Sequence, residues 1–371
     1  MMKPAGCAHA ADHGKRLVIK IGSSTLTTSE SKIDYAYLAE VTDQVARVRA
    51  AGWRPIVVTS AAIACGLERL SIEKRPHDMP SLQAAASVGQ SALSTAYAEA
   101  FARHGIVTST VLLTARDTFD RLLELGVVPI VNENDTISVE QIRFGDNDTL
   151  AALVACLVEA DLMVILSDIE GLYDANPHHH PDANLIGRVE AIGPEIMAVA
   201  GEAGTTVGSG GMITKIKAAR VLMVAGIPLV VCDGHRAEAI VDAAAGEDVG
   251  TLFVAAKKPH EITPKKLWIA LGDAARGALA VDDGAKAALI ERGSSLLSVG
   301  VRSVEGRFEA NDIVDIKDAT GHLFARGKVA FASDEAALAI GRTRAELQAN
   351  RLLASLADKP LVHRDELVVF E

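Results

Sequence analysis

Short runs of β-branched and aliphatic residues alternate with longer Ala- and Leu-rich stretches over the first 255 residues. The short runs predict strands over 16–21, 55–58, 107–113, 127–131, 162–166 and 227–232. The longer stretches predict helices that include 35–51, 81–104, 148–159 and 212–225. Near-continuous apolar strands that alternate with helices are typical of a parallel sheet covered on both faces. The pattern therefore predicts an α/β fold, a three-layer α/β/α sandwich around a mostly parallel central sheet.

The pattern changes after about residue 255. A basic, Pro-containing segment is followed by shorter apolar runs over 298–304, 313–317 and 323–332, with glycines between them. That spacing predicts a small β-rich domain with a few helices. We expect an N-terminal extension over 1–14, which we predict to be flexible, and an α/β domain over 15–256. These are followed by a linker over 257–276, a β-rich domain over 277–356 and a C-terminal tail over 357–371.

Composition narrows the class of protein. The chain has 371 residues, of which 49% are hydrophobic and 23% charged, as in a folded soluble protein. The net charge of −11 argues against wholesale binding of nucleic acid, although a local basic patch stays possible. No apolar run has the length of a membrane span, and the first fifteen residues hold no apolar signal core.

Cysteine and histidine usage gives no clear metal site. Cys7, Cys65, Cys156 and Cys232 lack CxxC spacing, which favours reduced thiols in a cytosolic protein over zinc ligands or disulfides. The run 178–180 consists of three histidines in a polar segment. It could bind a metal adventitiously, but a solvated loop is the preferred interpretation because no carboxylate or Cys lies at ligand spacing.

Two polar segments follow the predicted strand 127–131. Asn132-Glu133-Asn134-Asp135 comes directly after it, and Gly145-Asp146-Asn147-Asp148 leads into the next predicted helix. Open α/β sheets bind their ligands at the carboxyl ends of strands. These carboxylates and carboxamides therefore predict a binding site for a small polar molecule.

Two other segments have the composition of anion sites. Lys20 lies one residue before the end of an apolar strand, and Gly22 and Ser23 come directly after that strand. This arrangement suits a phosphate but also suits a Lys that extends to solvent. The glycine-rich run 208–211 precedes a helix with Thr214 and Lys215 in its first turn, which predicts an anion site, the alternative being a flexible linker.

Two further strand ends carry polar residues. Ser60 follows the second strand, where it could contact a ligand or simply cap the next helix. Ser167 and Asp168 follow the strand 162–166, as in a loop that contacts a nucleotide or as in an ordinary turn.

Five motifs occur in a fixed order: Lys-Ile-Gly-Ser-Ser at 20–24, Thr-Ser-x-Ala-Ile-type residues at 59–63, Asn-Glu-Asn-Asp at 132–135, Gly-Asp-Asn-Asp at 145–148 and Gly-Gly-Met-x-Thr-Lys at 210–215. Together they resemble the glutamate 5-kinase family of the amino-acid kinase superfamily. The segments 283–289 and 292–297 resemble the start of the family's C-terminal PUA domain. The resemblance extends from about Lys15 onward.

The resemblance implies an activity. Members of this family transfer phosphate from ATP to the side-chain carboxylate of L-glutamate, which gives L-glutamyl 5-phosphate in the first step of proline biosynthesis. It also implies Mg²⁺ bridged through the nucleotide phosphates, proline as a feedback inhibitor, a homo-oligomer, and a cytoplasmic protein that does not enter a membrane. Two alternatives stay open: a sibling kinase acting on N-acetylglutamate, aspartate or carbamate, and RNA binding through the PUA-like domain and Lys257, Lys258, Lys265 and Lys266.

The resemblance also implies site residues. Lys20 and Lys215 would contact the phosphates and stabilise the transferred group, and Asp148 would orient both lysines. The nucleotide site would comprise Lys20, Gly22, Ser23, Ser167, Asp168, Ser209, Gly210, Gly211, Met212, Ile213, Thr214 and Lys215. The glutamate site would comprise Ser60, Asn132, Asp135, Asp146 and Asn147. The resemblance assigns no protein ligand to the metal.

The chain departs from the family pattern at three places. Ala61 stands where the family usually has Gly, beside Ser60. After Thr114 the chain lacks about a dozen residues that family members usually carry, in the kind of loop that often serves binding. Arg143 stands where Lys is common, which keeps the charge but changes the geometry.

Overall fold

The computed structural model describes residues 14–30, 32–112, 116–134, 146–177, 179–202, 211–256, 263–272, 275–351 and 353–370. The chain divides into two compact units. The first comprises 1–137, 157–171 and 230–252, and the second comprises 138–156, 172–229 and 253–371.

The strands are β1 (Arg16–Ile21), β2 (Arg54–Val58), β3 (Thr108–Val111), β4 (Val128–Val131), β5 (Leu162–Ser167), β6 (Arg188–Val189), β7 (Leu229–Asp233), β8 (Thr251–Phe253), β9 (Gly277–Val281), β10 (Val301–Gly306), β11 (Ile313–Lys317), β12 (Leu323–Val329) and β13 (Val362–Val369). The helices are α1 (Ser23–Leu26), α2 (Tyr35–Ala50), α3 (Ala62–Arg69), α4 (Met79–Ala102), α5 (Arg116–Glu124), α6 (Asn147–Leu157), α7 (Pro194–Glu202), α8 (Met212–Ala225), α9 (Ala239–Ala245), α10 (Pro264–Leu271), α11 (Asp283–Arg292), α12 (Ser333–Ala339) and α13 (Arg344–Ala349).

The first unit is built on a large sheet whose strands follow the order β3-β4-β2-β1-β5-β7-β8. The pairs β1–β2, β1–β5, β2–β4 and β3–β4 are parallel. Every residue of β1 and β5 is buried, which explains why most residues of both strands are apolar. The predicted α/β class with a mostly parallel sheet is confirmed.

Helix α2 shows how the sequence sets the packing of this unit. The Asp34 side chain accepts a hydrogen bond from the Tyr37 backbone N–H at 2.9 Å and so caps the first turn. Leu38, Val41 and Val45 recur at helical spacing and are buried in the same apolar core as the sheet. The helix therefore lies with its apolar face on the sheet.

Helices α3 and α4 approach each other at their backbones. A Cβ built at Gly66 would overlap the carbonyl of Ala85, and one built at Gly89 would overlap the carbonyl of Ala62. Only glycine fits at these two crossing points. The packing fixes α3, which begins two residues after Ser60, against α4.

The second unit contains a smaller sheet in the order β10-β9-β11-β12-β13. The pair β9–β11 is parallel, whereas β9–β10, β11–β12 and β12–β13 are antiparallel. Leu279, Phe308, Phe324 and Leu361 lie in its apolar core. The predicted small β-rich domain is confirmed by this separate sheet.

Two segments of this unit differ from our prediction. Residues 357–371 were predicted as a tail, but β13 lies there and pairs with β12. Residues 257–276 were predicted as a linker, but α10 occupies 264–271 and packs against β12 and β13. The extension 1–14 lies outside the described residues except for Gly14, as do Arg143 and the segment 113–115. Among the helices that the structure describes, none is long and apolar enough to cross a membrane.

Candidate functional site

The carboxyl ends of four neighbouring strands collect polar residues at one edge of the large sheet. Lys20 is the penultimate residue of β1, Ser60 and Asn132 follow β2 and β4, and Ser167 ends β5. All four residues are buried. Because β4, β2, β1 and β5 are parallel neighbours, the structure places these predicted site residues along the same edge.

The end of β1 places a cation beside a glycine. Lys20 is only 6% exposed. A Cβ built on Gly22 would lie 3.6 Å from Lys20 Nζ and 3.5 Å from Thr25 Oγ1, so the ammonium group is beside the Gly22 backbone. Ser23 begins α1 and is exposed. The buried lysine, the glycine backbone that an anion can approach closely and the exposed serine hydroxyl together can bind an anion.

The loop after β2 contains an unusual backbone conformation. Ala61 has φ 77° and ψ 10°, in the left-handed region that favours glycine, and it directly precedes α3. The Cβ of an L-residue is crowded in this conformation. The Thr59 and Tyr97 hydroxyls share a hydrogen bond of 2.8 Å, and burial raises the pKa of Tyr97. Ala61 therefore holds a conformation that glycine would adopt with less strain.

The loop after β4 is held by a residue that the sequence did not single out. The Asn132 side chain donates from Nδ2 to Oε1 of Gln90, on α4, at 2.8 Å. The Asn132 backbone N–H donates to the carbonyl of Val111 at 3.1 Å. Gln90 lies 42 residues before Asn132 in the middle of a long helix, and nothing in the sequence pattern pointed to it.

The end of β5 is joined to the loop after β7. Ser167 Oγ donates to Asp168 Oδ1 at 3.2 Å, and the Ser167 carbonyl accepts from the Gly234 N–H at 2.8 Å. A Cβ on Gly234 would meet the side chains of Thr25 and Tyr37. Gly234 is a second residue that sequence reasoning missed, and its position directly after a strand was the available signal.

In the second unit, the starts of α6 and α8 meet at a fully buried carboxylate. Thr214 Oγ1 donates to Asp148 Oδ2 at 2.6 Å, and Lys215 Nζ lies 3.3 Å from the same oxygen. Asp148 is 0% exposed and Lys215 is 5% exposed. A buried charge needs a partner of opposite sign, so Asp148 and Lys215 form a closely coupled pair. The structure thus joins three predicted site residues.

The remaining predicted residues of this unit begin the same two helices. Both carboxylate oxygens of Asp146 accept from Thr149, from its N–H at 2.7 Å and its hydroxyl at 3.0 Å. Asn147 is the first residue of α6. Gly211 precedes α8 with an extended backbone, and Met212 and Ile213 form its first turn. The N–H groups at the start of α8 favour an anion.

Three predicted residues lie outside the described part of the chain: Asp135, Ser209 and Gly210. His178 lies there too. Within the described residues, no group of three or more His, Cys, Asp or Glu side chains is arranged to hold a metal ion.

The three cysteines that the structure describes do not provide a nucleophile. Cys65, Cys156 and Cys232 are free thiols, and burial raises the pKa of each to about 12. The thiolate is the reactive form, so these three groups stay protonated and inert at neutral pH.

Comparison with known proteins identifies two family domains and full-length relatives. Residues 15–233 match the amino acid kinase family and residues 277–349 match the PUA domain. A glutamate 5-kinase of Streptomyces coelicolor is 43% identical, with 98% of this chain and 99% of the relative covered. A glutamate 5-kinase of Geobacter sulfurreducens is 42% identical, with 96% and 97% covered.

Among solved structures, carbamate kinase from Giardia lamblia bound to AMP-PNP has a TM-score of 0.50 at 18% identity. The match covers 65% of this chain and 99% of that chain, and it supports the fold alone. The family match covers more than half of the chain, and the curated relatives match over nearly its full length. The chain therefore belongs to the amino acid kinase family, in its glutamate 5-kinase group.

Proposed function

We propose that this chain phosphorylates the side-chain carboxylate of L-glutamate with ATP, giving L-glutamyl 5-phosphate and ADP, the first step of proline biosynthesis. Full-length relatives named glutamate 5-kinase support the substrate. The observation that carries the chemistry is the buried Lys215, held with Thr214 on one oxygen of Asp148 at the start of a helix. That arrangement suits stabilisation of phosphoryl charge.

The reaction needs charge neutralisation more than proton transfer. A side-chain carboxylate oxygen of glutamate forms a bond to the γ-phosphorus, and the bond from that phosphorus to the β–γ bridging oxygen breaks, so ADP leaves with the electron pair. Glutamate has a side-chain pKa of about 4.3, so the attacking group is already ionised at neutral pH. No general base is required, and positioning and electrostatics supply the catalysis.

We assign the cations to the phosphates. Lys20 beside Gly22 binds phosphate oxygens with Ser23, and Lys215 binds them from the start of α8 with the backbone of Gly211. Asp148 holds the Lys215 ammonium in place through an ion pair at 3.3 Å. Ser167 and Asp168, at the end of β5, lie with the nucleotide in this assignment.

We assign glutamate to the polar loops. Ser60 and neighbouring backbone N–H groups suit a substrate carboxylate, while Asp135, Asp146 and the carboxamides of Asn132 and Asn147 suit the substrate ammonium. Acceptor oxygens for an ammonium and donors for a carboxylate are the complementary groups.

The side chains at the site also indicate how Mg²⁺ would be held. The described residues contain no cluster of three or more acidic or imidazole ligands. Mg²⁺ keeps several waters and is commonly held through substrate phosphates with few protein ligands. We therefore propose that Mg²⁺ would arrive with ATP, held through the phosphates, and would neutralise their charge.

The test is formation of the acyl phosphate, trapped with hydroxylamine as the hydroxamate. We expect a product that requires both ATP and L-glutamate. Lys20→Met and Lys215→Met should each lower kcat by about 10²- to 10³-fold, because each removes a charge that stabilises the transition state. Lys217→Met is the matched control, since Lys217 lies on the same helix but is exposed. Absence of the hydroxamate with saturating substrates would refute the proposal.

A substrate panel separates the sibling kinases. N-acetylglutamate, aspartate and carbamate differ from glutamate in the ammonium group, the chain length or both. We expect L-glutamate to have the highest kcat/KM, because the proposed site offers acceptors for a free ammonium. A higher kcat/KM for any of the three would replace glutamate as the assigned substrate.

RNA binding is the second candidate, raised by the match to the PUA domain. Of the four lysines that the RNA-binding alternative names, Lys265 forms an ion pair with Glu366 at 2.7 Å, and Lys257 and Lys258 lie outside the described residues. This pairing and the net charge of −11 favour a role in assembly or regulation. A salt-dependent mobility shift with structured RNA would favour the alternative.

We further propose that the chain forms a homo-oligomer, that proline inhibits it as the pathway product, and that it acts in the cytoplasm, where free thiols such as Cys65 and Cys232 persist. Light scattering on the purified chain tests the first proposal. A glutamate titration with and without proline tests the second.

A further inference from the structure

We propose that Gln90 is a positioning residue for glutamate binding, because it fixes the orientation of the Asn132 carboxamide. This inference rests on the proposed function and on the assignment of Asn132 to the substrate. Gln90 belongs to α4 and Asn132 follows β4, so the contact joins a helix to the loop that we assign to the substrate.

The contact is part of a directed hydrogen-bond network. Ser94 Oγ donates to the Gln90 carbonyl at 2.8 Å, so the single hydroxyl proton of Ser94 is committed there. Ser94 Oγ can then only accept, and it accepts from Gln90 Nε2 at 3.4 Å and from Thr110 Oγ1 at 2.9 Å. The amide nitrogen of Gln90 must therefore face Ser94.

The orientation of Gln90 sets that of Asn132. With Nε2 towards Ser94, the Gln90 side chain presents Oε1 to Asn132, which donates from Nδ2 at 2.8 Å. A reversed Gln90 would place Oε1 against an oxygen that has no proton left to donate. The network thus directs Nδ2 of Asn132 to Gln90, which makes Oδ1 the acceptor end of the carboxamide. An acceptor is the group that a substrate ammonium requires.

The same part of α4 is also fixed by packing. Gly89, the residue before Gln90, lies against the Ala62 carbonyl and the Gly66 N–H of α3. Ala62 begins α3 just after Ser60. The pair Gly89-Gln90 therefore links the loop after β2 with the loop after β4, both of which we assign to glutamate, and neither link involves a residue assigned to ATP.

The test compares Gln90→Met with Ser94→Ala. We expect Gln90→Met to raise the KM for glutamate about tenfold, the effect of one lost hydrogen bond that orders a binding group, with the KM for ATP within about twofold. Ser94→Ala should raise the glutamate KM less, because it frees the Gln90 amide to turn without removing it. In an Asn132→Ala background, Gln90→Met should have no further effect on the glutamate KM.

Gln44→Met is the matched control. Gln44 is buried, whereas Gln90 is partly exposed, and Oε1 of Gln44 accepts one hydrogen bond of 2.9 Å from the Ile240 N–H, between α2 and α9. This variant should also lose a side-chain hydrogen bond to a Gln Oε1 but leave the glutamate KM unchanged.

The outcomes separate two failures. Equal rises in the KM values of glutamate and ATP for Gln90→Met, or a full effect in the Asn132→Ala background, would overturn the inference while the proposed function stands. Absence of any glutamate-dependent hydroxamate from the unmodified chain would overturn the proposed function, and the inference with it.

Discussion

Gly211 offers a test of the anion site that separates binding from folding. It directly precedes α8, with φ −87° and ψ −175°, an extended conformation that alanine adopts freely. A Cβ built at this position meets no heavy atom of the described chain within 4 Å. Gly211→Ala therefore adds a methyl group that the protein itself tolerates and that only a bound group at the helix start would meet.

The expected change in stability is small because two terms offset. Alanine is a poorer N-cap than glycine by roughly 0.5 kcal/mol. Glycine loses more conformational freedom on folding, which favours alanine by about 0.4–1 kcal/mol. The free energy of unfolding should therefore change by less than about 0.5 kcal/mol. A hydrogen bond from a backbone N–H to a charged phosphate contributes about 1.5–3 kcal/mol, which corresponds to roughly a 10- to 150-fold change in affinity.

The assay measures both quantities on one preparation. Urea unfolding gives stability, and the rate of ADP release at increasing ATP gives the KM for ATP. Gly187→Ala is the control, because a Cβ on Gly187 also meets no heavy atom of the described residues. We expect Gly211→Ala to raise the ATP KM at least tenfold and Gly187→Ala to leave it unchanged. An ATP KM within twofold of the parent value for Gly211→Ala would show that no phosphate approaches this backbone.

Three further predictions concern buried features of the two units. Asp148→Asn should lower the free energy of unfolding of the second unit by about 3 kcal/mol, because it leaves the buried Lys215 without its counter-charge. The urea midpoint, compared with that of Lys217→Met, measures this loss. An unchanged midpoint would contradict the prediction. Gly66→Ala should destabilise the first unit by about 3 kcal/mol or prevent its folding, because the new Cβ would overlap the Ala85 carbonyl. Gly187→Ala is the control there, and equal midpoints for the two would refute the packing argument. Ala61→Gly should raise the free energy of unfolding by about 0.5–1 kcal/mol, since glycine adopts φ 77° without strain. A lower urea midpoint for Ala61→Gly would show that burial of the Ala61 methyl outweighs the strain.

The sequence predicted the large sheet well because burial on both faces leaves a simple pattern. β1 is buried at every residue and was predicted with its observed ends. β13 was missed because its middle residues, 363–365, are exposed and polar at the edge of the small sheet, which hides the strand pattern. The prediction therefore succeeded for β1, both faces of which touch the core, and failed for β13, an edge strand that meets solvent.

The candidate site also contains some residues whose position could be predicted from the sequence and some whose position could not. The position of short motifs at strand ends, such as those of Lys20 and Asn132, could be predicted because the carboxyl ends of parallel strands lie at one edge of the sheet. Gln90 could not, because its part depends on which helix face meets β4 and on the proton of Ser94. Contacts between residues 42 positions apart in the chain follow from packing and leave no local pattern.

The buried ion pair of Asp148 and Lys215 raises the question of why charged residues occupy this part of the second unit. Removing two charges from water costs several kcal/mol per ion, and well-packed apolar residues in place of a buried ion pair are often as stable or more so. Stability alone therefore gives little reason for a lysine that is 5% exposed against a carboxylate that is 0% exposed. In the function that we propose, a fixed positive charge at the start of α8 serves phosphoryl transfer, because an ammonium already held by Asp148 needs no reorganisation when charge develops. That proposed role gives the buried pair a reason that stability alone does not.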